Sequence, residues 1–212
     1  MSKTTIAAIV LAAGRSSRMG RHKMLLPLGG RPLVSYAVEA ASASEADPVL
    51  VVLGYQATEV AEALPSGRYT TGFNPNFASG MASSLRLGIE TLSRPGAGTS
   101  PILGAAVLLG DQPLVSANII NRLLTAARAY PDAIIAAAYD GERGTPVYFP
   151  ASLWSELLQI EGDEGGRSVI ARHQDLLRLE PFDDPAAGLD VDRMEDYLQL
   201  KADWDHDDGN RR

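Results

Sequence analysis

Five short runs of apolar and β-branched residues recur along this chain, each followed by a stretch of different periodicity. They are Thr5–Leu11, Val49–Leu53, Tyr69–Gly72, Ala105–Leu109 and Ala133–Ala138. Near-continuous hydrophobicity over so few residues describes strands covered on both faces, as in a mainly parallel sheet. The intervening patterns predict helices over Pro32–Ser44, Ala57–Leu64, Met81–Leu92 and Ala117–Tyr130, with Ser116 as N-cap of the last. Alternation of this kind predicts an α/β fold in three layers, doubly wound and Rossmann-like, around a mostly parallel central sheet.

Beyond these elements the pattern loosens. Gly144–Phe149 reads as a short strand begun by a turn, Ala151–Leu158 as a helix, and Gly162–Gly166 as an acidic glycine loop opening a helix over Arg167–His173. Asp175–Glu180 and Gly188–Val191 read as further short strands and Met194–Ala202 as a closing helix. Pro95–Pro101 is the most loop-like stretch and is too short to separate domains, so residues 1–202 read as one domain. The polar, Asp-dense Asp203–Arg212 is expected to fray.

Charge is distributed unevenly. The first 38 residues hold six Lys and Arg and no Asp or Glu, yet the whole chain carries −7. An acidic total argues against general nucleic-acid binding and against docking on an anionic membrane. No apolar run reaches the ~18 residues of a membrane span. Residues Ile6–Leu11 read as a first strand rather than a leader, and with no cysteine there are no disulfides or thiolate metal sites. A cytoplasmic location is expected.

The cations cluster where the first strand ends. Leu11-Ala12-Ala13-Gly14 opens a polar segment with Arg15, Arg18, Arg21 and Lys23. Small residues let backbone N–H groups approach a polyphosphate, and cations neutralise it. Neither a Walker A loop nor a Gly-x-Gly-x-x-Gly fingerprint is present. A solvated basic loop is the plain alternative, but a strand exit is where α/β sheets bind ligands, which favours a phosphate-binding loop.

A second strand exit, Leu108-Leu109-Gly110-Asp111-Gln112-Pro113, offers one carboxylate. Asp111 reads either as a turn residue or as a Mg²⁺ ligand, and magnesium takes one or two carboxylates plus phosphate oxygens and water. Asp190 and Asp192 would share one face of a strand, one as a metal ligand and the other as a loop holder, or both as solvated acids. Asn74–Ser84 brings Gly80 and Ser83 to a helix N-terminus, where they suit a base, ribose or phosphate. His22, His173 and His206 lack metal-ligand spacing; His22, in the basic loop, is expected at the solvent surface, with phosphate contact as the alternative, and Trp154 and Trp204 read as helix-packing residues.

With these residues in hand, the chain resembles the MobA-like nucleotidyltransferase family, and within it the molybdenum cofactor cytidylyltransferases. The matching stretches are 11–34, 74–89, 108–115, 144–149, 162–170 and 189–200, in the family's order. The resemblance implies the nucleotidyltransferase version of the fold and transfer of CMP from CTP to the terminal phosphate of molybdopterin cofactor. It implies Mg²⁺ as cofactor, CTP and molybdopterin cofactor as substrates, and a molybdenum hydroxylase apoenzyme as recipient; neither nucleic acid nor membrane is implied. Arg18, Lys23 and Asp111 would be catalytic. Leu11, Ala12, Ala13, Gly14, Arg15, Arg18, Lys23, Gly80, Ser83 and Asp111 would hold the nucleotide. Asp111 and Asp192 would hold the metal, and Thr145, Pro146 and Arg167 the acceptor. Ala12-Ala13-Gly14 is similar to the cytidylyl-transferring relatives, whereas guanylyl-transferring ones usually read Ala-Gly-Gly. Two departures stand out: Arg193-Met194-Glu195-Asp196 where the family commonly has Thr-Pro-Glu-Asp, and Thr145 where a larger polar residue is expected.

Overall fold

The computed structural model describes residues 4–17, 19–98 and 100–210, with side chains through 206. Its main sheet has seven strands: β1 (Thr5–Ala12), β4 (Val49–Leu53), β5 (Thr70–Phe73), β6 (Ile102–Leu109), β7 (Ile134–Tyr139), β8 (Glu142–Pro150) and β9 (Leu177–Phe182). A small hairpin, β2 (Pro27–Leu28) and β3 (Arg31–Pro32), stands apart. The main order is β5-β4-β1-β6-β8-β7-β9. Only β8 is antiparallel to its neighbours. The expected mostly parallel, three-layer architecture is what forms.

Alternation along β1 shows why. Ile6, Ala8, Val10 and Ala12 face one core layer, and Ala7, Ile9, Leu11 and Ala13 the other. The first layer is closed by α1 (Leu33–Ala43), α2 (Ala57–Ala63) and α4 (Ala117–Ala129) through Val38, Val60 and Leu123. The second is closed by α3 (Met81–Leu92), α5 (Trp154–Leu157) and α6 (Arg167–Arg172) through Leu85, Leu157 and Val169. A strand apolar on both sides needs both covers. Ser116 caps α4 as expected, its Oγ accepting from the Ile119 N–H at 3.3 Å.

Chain order reverses beside β1. The chain runs outward from β1 to β4 and β5, then returns to place β6 on the other flank of β1. That reversal opens a crevice at the carboxyl ends of β1 and β6, where α/β sheets hold ligands.

Three expectations are corrected. The stretch Gly188–Val191 is not a strand: Pro185–Gly188 is a 3₁₀ turn, capped by Asp184 Oδ1 on the Ala186 N–H at 3.0 Å, and an irregular segment follows. The short strand expected over Gly144–Phe149 is the inner part of β8, which an Asp140-Gly141 turn with two positive φ angles folds onto β7. Asp203 begins no fray, because α7 (Met194–Asn210) continues as helix. Trp204 packs edge-on against Tyr36, ring centroids 4.8 Å apart. Gly29, with φ of +54° in the β2–β3 turn, admits the indole so closely that a Cβ there would lie 2.6 Å from Nε1. Among the described residues no helix is long and apolar enough to cross a membrane.

Candidate active site

The β1 exit is built for close approach. A Cβ on Gly54 would lie 2.7 Å from the Ala13 Cβ, so glycine lets the β4 exit press against the loop after β1, and the Tyr55 N–H donates to Ala13 O at 3.1 Å. A Cβ on Gly14 would meet nothing within 4 Å. The protein does not need that glycine for its own packing, and its smallness leaves room outside. Ser16, in the left-handed region at φ 53°, turns the loop back, its Oγ accepting from the Lys23 N–H at 3.0 Å. The Arg15 guanidinium sits 5.1 Å over the Phe77 ring.

Lys23 then begins a 3₁₀ turn, Lys23–Leu25, which aims its side chain inward. Its Nζ donates to Asp111 Oδ2 and to Asp192 Oδ1, the latter at 3.0 Å. Asp111 stands where β6 ends: the Gly110 N–H donates to Leu11 O at 2.9 Å, so the exits of β1 and β6 are in register. The Val191 N–H donates to Asp111 O at 3.1 Å and draws the 188–192 segment alongside. Asp196, in the first turn of α7, accepts from the Asp192 and Arg193 N–H groups at 3.1 and 2.7 Å. That carboxylate caps the helix where the family commonly has a proline entry.

These contacts gather Asp111, Asp190 and Asp192 so that one carboxylate oxygen of each lies within 4.8 Å of the others. Asp111 is buried, Asp192 half-buried and Asp190 exposed. Burial pushes the Asp111 carboxyl above its ordinary value and Asp190 adds to the push, against the pull of the Lys23 ammonium. Burial alone would lower Lys23, but the charges and hydrogen bonds of Asp111 and Asp192 overcome it and hold the ammonium above its ordinary value. Among the described residues Lys23 bonds two of these three carboxylates, and the cluster is a set of hard oxygen donors of the kind that divalent cations such as Mg²⁺, Ca²⁺ or Mn²⁺ take.

The other expected residues have the following surroundings. Leu11 and Ala12 are buried strand residues, and the Leu11 carbonyl is bonded to Gly110. Arg18 lies outside the described residues. Ser83 is buried; its hydroxyl accepts from Asn74 Nδ2 at 2.8 Å and donates to the carbonyls of Asn76 or Gly80, so it ties two loops together. At Gly80, φ +102°, an added Cβ would collide with the Gly162 carbonyl, and the next two N–H groups donate to Asp163 Oδ1 (3.3 Å) and Gly162 O (2.9 Å). The N-terminus of α3 is thus covered by the chain's own acidic loop. Arg167 is exposed at the start of α6. Thr145 is half-buried and Pro146 buried on β8. His22 is half-buried, not at the solvent surface: its Nε2 lies 3.2 Å from Gly14 O, its ring meets Tyr55 edge-on at 5.2 Å, and burial lowers its pKa.

Asp190, which the sequence offers beside Asp192, is exposed, and its approach to Asp111 completes the cluster. Gln112 follows Asp111 directly, but nothing in the chain announces its partners.

A crevice at the strand reversal, a small-residue loop and a carboxylate cluster define a nucleotidyltransferase-type site. Residues 8–176 match the model of the MobA-like NTP transferase domain, and the chain belongs to that family. It is 29% identical over 184 residues to the purine catabolism protein PucB of Bacillus subtilis strain 168, covering 82% of this chain and 84% of that one. Among solved structures it is similar to a homologue of Mycobacterium tuberculosis Rv0371c from Mycobacterium sp. strain JC1 (TM-score 0.81, 27% identity, 95% and 97% of the two chains). It is also similar to Rv0371c of M. tuberculosis H37Rv in complex with manganese (TM-score 0.75, 27% identity, 94% and 99%).

Proposed function

We propose that this nucleotidyltransferase transfers CMP from CTP to the terminal phosphate of molybdopterin cofactor and releases pyrophosphate, with Mg²⁺ held by Asp111 and Asp192. The observation that carries the reading is the cluster of Asp111, Asp190, Asp192 and Lys23 at the mouth of the loop after β1. The Ala12-Ala13-Gly14 spelling supports CTP. The manganese complex of Rv0371c supports a hard divalent ion, since manganese shares magnesium's preference for oxygen ligands.

In the proposed reaction an oxygen of the acceptor phosphate forms a bond to the α-phosphorus of CTP. The bond from that phosphorus to the bridging oxygen breaks, and pyrophosphate leaves with the electron pair. A phosphate monoester is already largely ionised at neutral pH, so no dedicated base is needed. The divalent ion supplies charge neutralisation at the phosphoryl oxygens. The loop from Ala12 to Lys23 would hold the triphosphate, with Arg18 and Lys23 as its main cations and Arg15 beside them. Asp111 and Asp192 would hold the ion, and Lys23, which bonds both carboxylates, would neutralise phosphate oxygens. Catalysis here is positioning and charge stabilisation.

A different phosphorylated acceptor is a second reading, favoured by Thr145, whose hydroxyl is bonded to Gln112 where a larger polar side chain is expected. Pyrophosphate release with CTP, GTP and UTP, each with and without molybdenum cofactor, separates the two. CTP with the cofactor should be the productive pair. Strong GTP preference, or release with a sugar phosphate and not the cofactor, would overturn the proposal. Delivery of the product to a molybdenum hydroxylase apoenzyme belongs to the same proposal.

A further inference from the structure

The carboxylates of the site come from distant stretches of chain, and one buried side chain on the first of these bonds both the second and the strand beside them. Gln112 is 3% exposed. Its Nε2 donates to Gly188 O at 3.0 Å, at the start of the segment that carries Asp190 and Asp192. Its Oε1 accepts from Thr145 Oγ1 at 2.5 Å, on β8. On the same segment the Val191 N–H donates to Asp111 O, a second tie to the end of β6. Gly188 lies so close to the Tyr139 ring that a Cβ would collide with it, and the Tyr139 hydroxyl donates to Thr145 O at 3.0 Å. The 188–192 segment has no strand ladder to set its register. Gln112 and Val191 supply that register.

The chemistry of the side chain fits this task. A primary amide donates to a carbonyl and accepts from a hydroxyl at the same time, whereas a carboxylate only accepts and an aliphatic chain does neither. Left without Gln112, the Gly188 carbonyl and the Thr145 hydroxyl would each need a new partner. We propose that Gln112 is the positioning residue of this site. It sets the Asp190–Asp192 segment against Asp111, and through it the Thr145 hydroxyl on β8 is coupled to the cation-binding carboxylates. The proposal rests on the cation-site reading of the cluster. Groups that orient metal ligands typically contribute 10–100-fold to metal affinity.

The test is direct binding of Mn²⁺ to the metal-free full chain, followed by loss of the free-ion electron paramagnetic resonance signal, without nucleotide. Gln112→Met, close in volume, should weaken Mn²⁺ binding about tenfold or more. Thr145→Val, which removes only the hydroxyl, should weaken it measurably in the wild-type background and by less than about twofold when Gln112 is already Met. Leu157→Ala, a cavity variant in the second core layer, should lower the melting temperature without changing Mn²⁺ affinity. Wild-type affinity in Thr145→Val, undiminished effect of that change in the Gln112→Met background, or equal weakening by Leu157→Ala would each overturn the positioning role. If Gln112→Met does not fold, Thr145→Val decides alone. Failure of the wild-type protein to bind Mn²⁺ would overturn the cation site, and this proposal with it.

Discussion

Lys23 is the residue on which the two ends of the site meet. Its ammonium bonds Asp111 and Asp192, so removing it leaves three carboxylates facing one another, and removing Asp111 takes away the buried ligand. Lys23→Ala and Asp111→Ala should each lower kcat by about 10²-fold or more while the far-ultraviolet circular dichroism stays that of the wild type. Turnover near wild type in either would sink the assignment. Asp111 also makes a stability prediction. Its carboxyl is raised in the folded state by burial, so the folded protein holds its proton to higher pH than the unfolded chain. The cost of ionising it is absent below the ordinary carboxylate value of about 4 and grows as pH rises through that value toward the raised one. The melting temperature of metal-free wild type, relative to metal-free Asp111→Asn, should therefore fall as pH rises from about 4 toward neutral. A difference that stays constant over that range, or that moves the other way, would contradict this. Asp111 was legible in the sequence because a buried run ending in Gly-Asp places a carboxylate at a strand exit. Ser83 reads in the sequence as a donor at a helix N-terminus, and only the fold shows that its hydroxyl also accepts from Asn74.

At the scale of elements, strands and helices of the first two-thirds were readable because their faces are set by burial alone. β1, apolar from Ile6 to Ala12, cannot stand without cover on both sides. The 188–192 segment was not readable, because its shape comes from Gln112, Asp111 and Asp196 rather than from its own periodicity. The end of α7 was hidden for a related reason. Its acidic composition looks like a frayed tail, while Trp204 reaches back to Tyr36 and the Gly29 turn. Ending the chain after residue 202 should therefore cost about 1–2 kcal/mol, from the lost aromatic pair and the apolar area it covers. Urea unfolding measures it; an unchanged midpoint would restore the frayed tail.

Across the whole molecule, charge and topology converge on one place. The cationic first segment is brought against an acidic C-terminal segment, with Lys23 and Asp192 169 residues apart in sequence. The strand reversal at β1 and β6 puts both beside Asp111. A site assembled from both ends forms only in the folded chain, which is why its residues are legible one by one in the sequence and their mutual contacts are not. The central claim is that this site moves a nucleotidyl group. It is tested most directly by incubating the protein with CTP labelled at the α-phosphate, molybdopterin cofactor and Mg²⁺, and following the label. The expected result is label joined to the cofactor, one pyrophosphate released for each, and no transfer by Lys23→Ala. Label recovered as free CMP, or as unreacted CTP however long the incubation, would contradict the account.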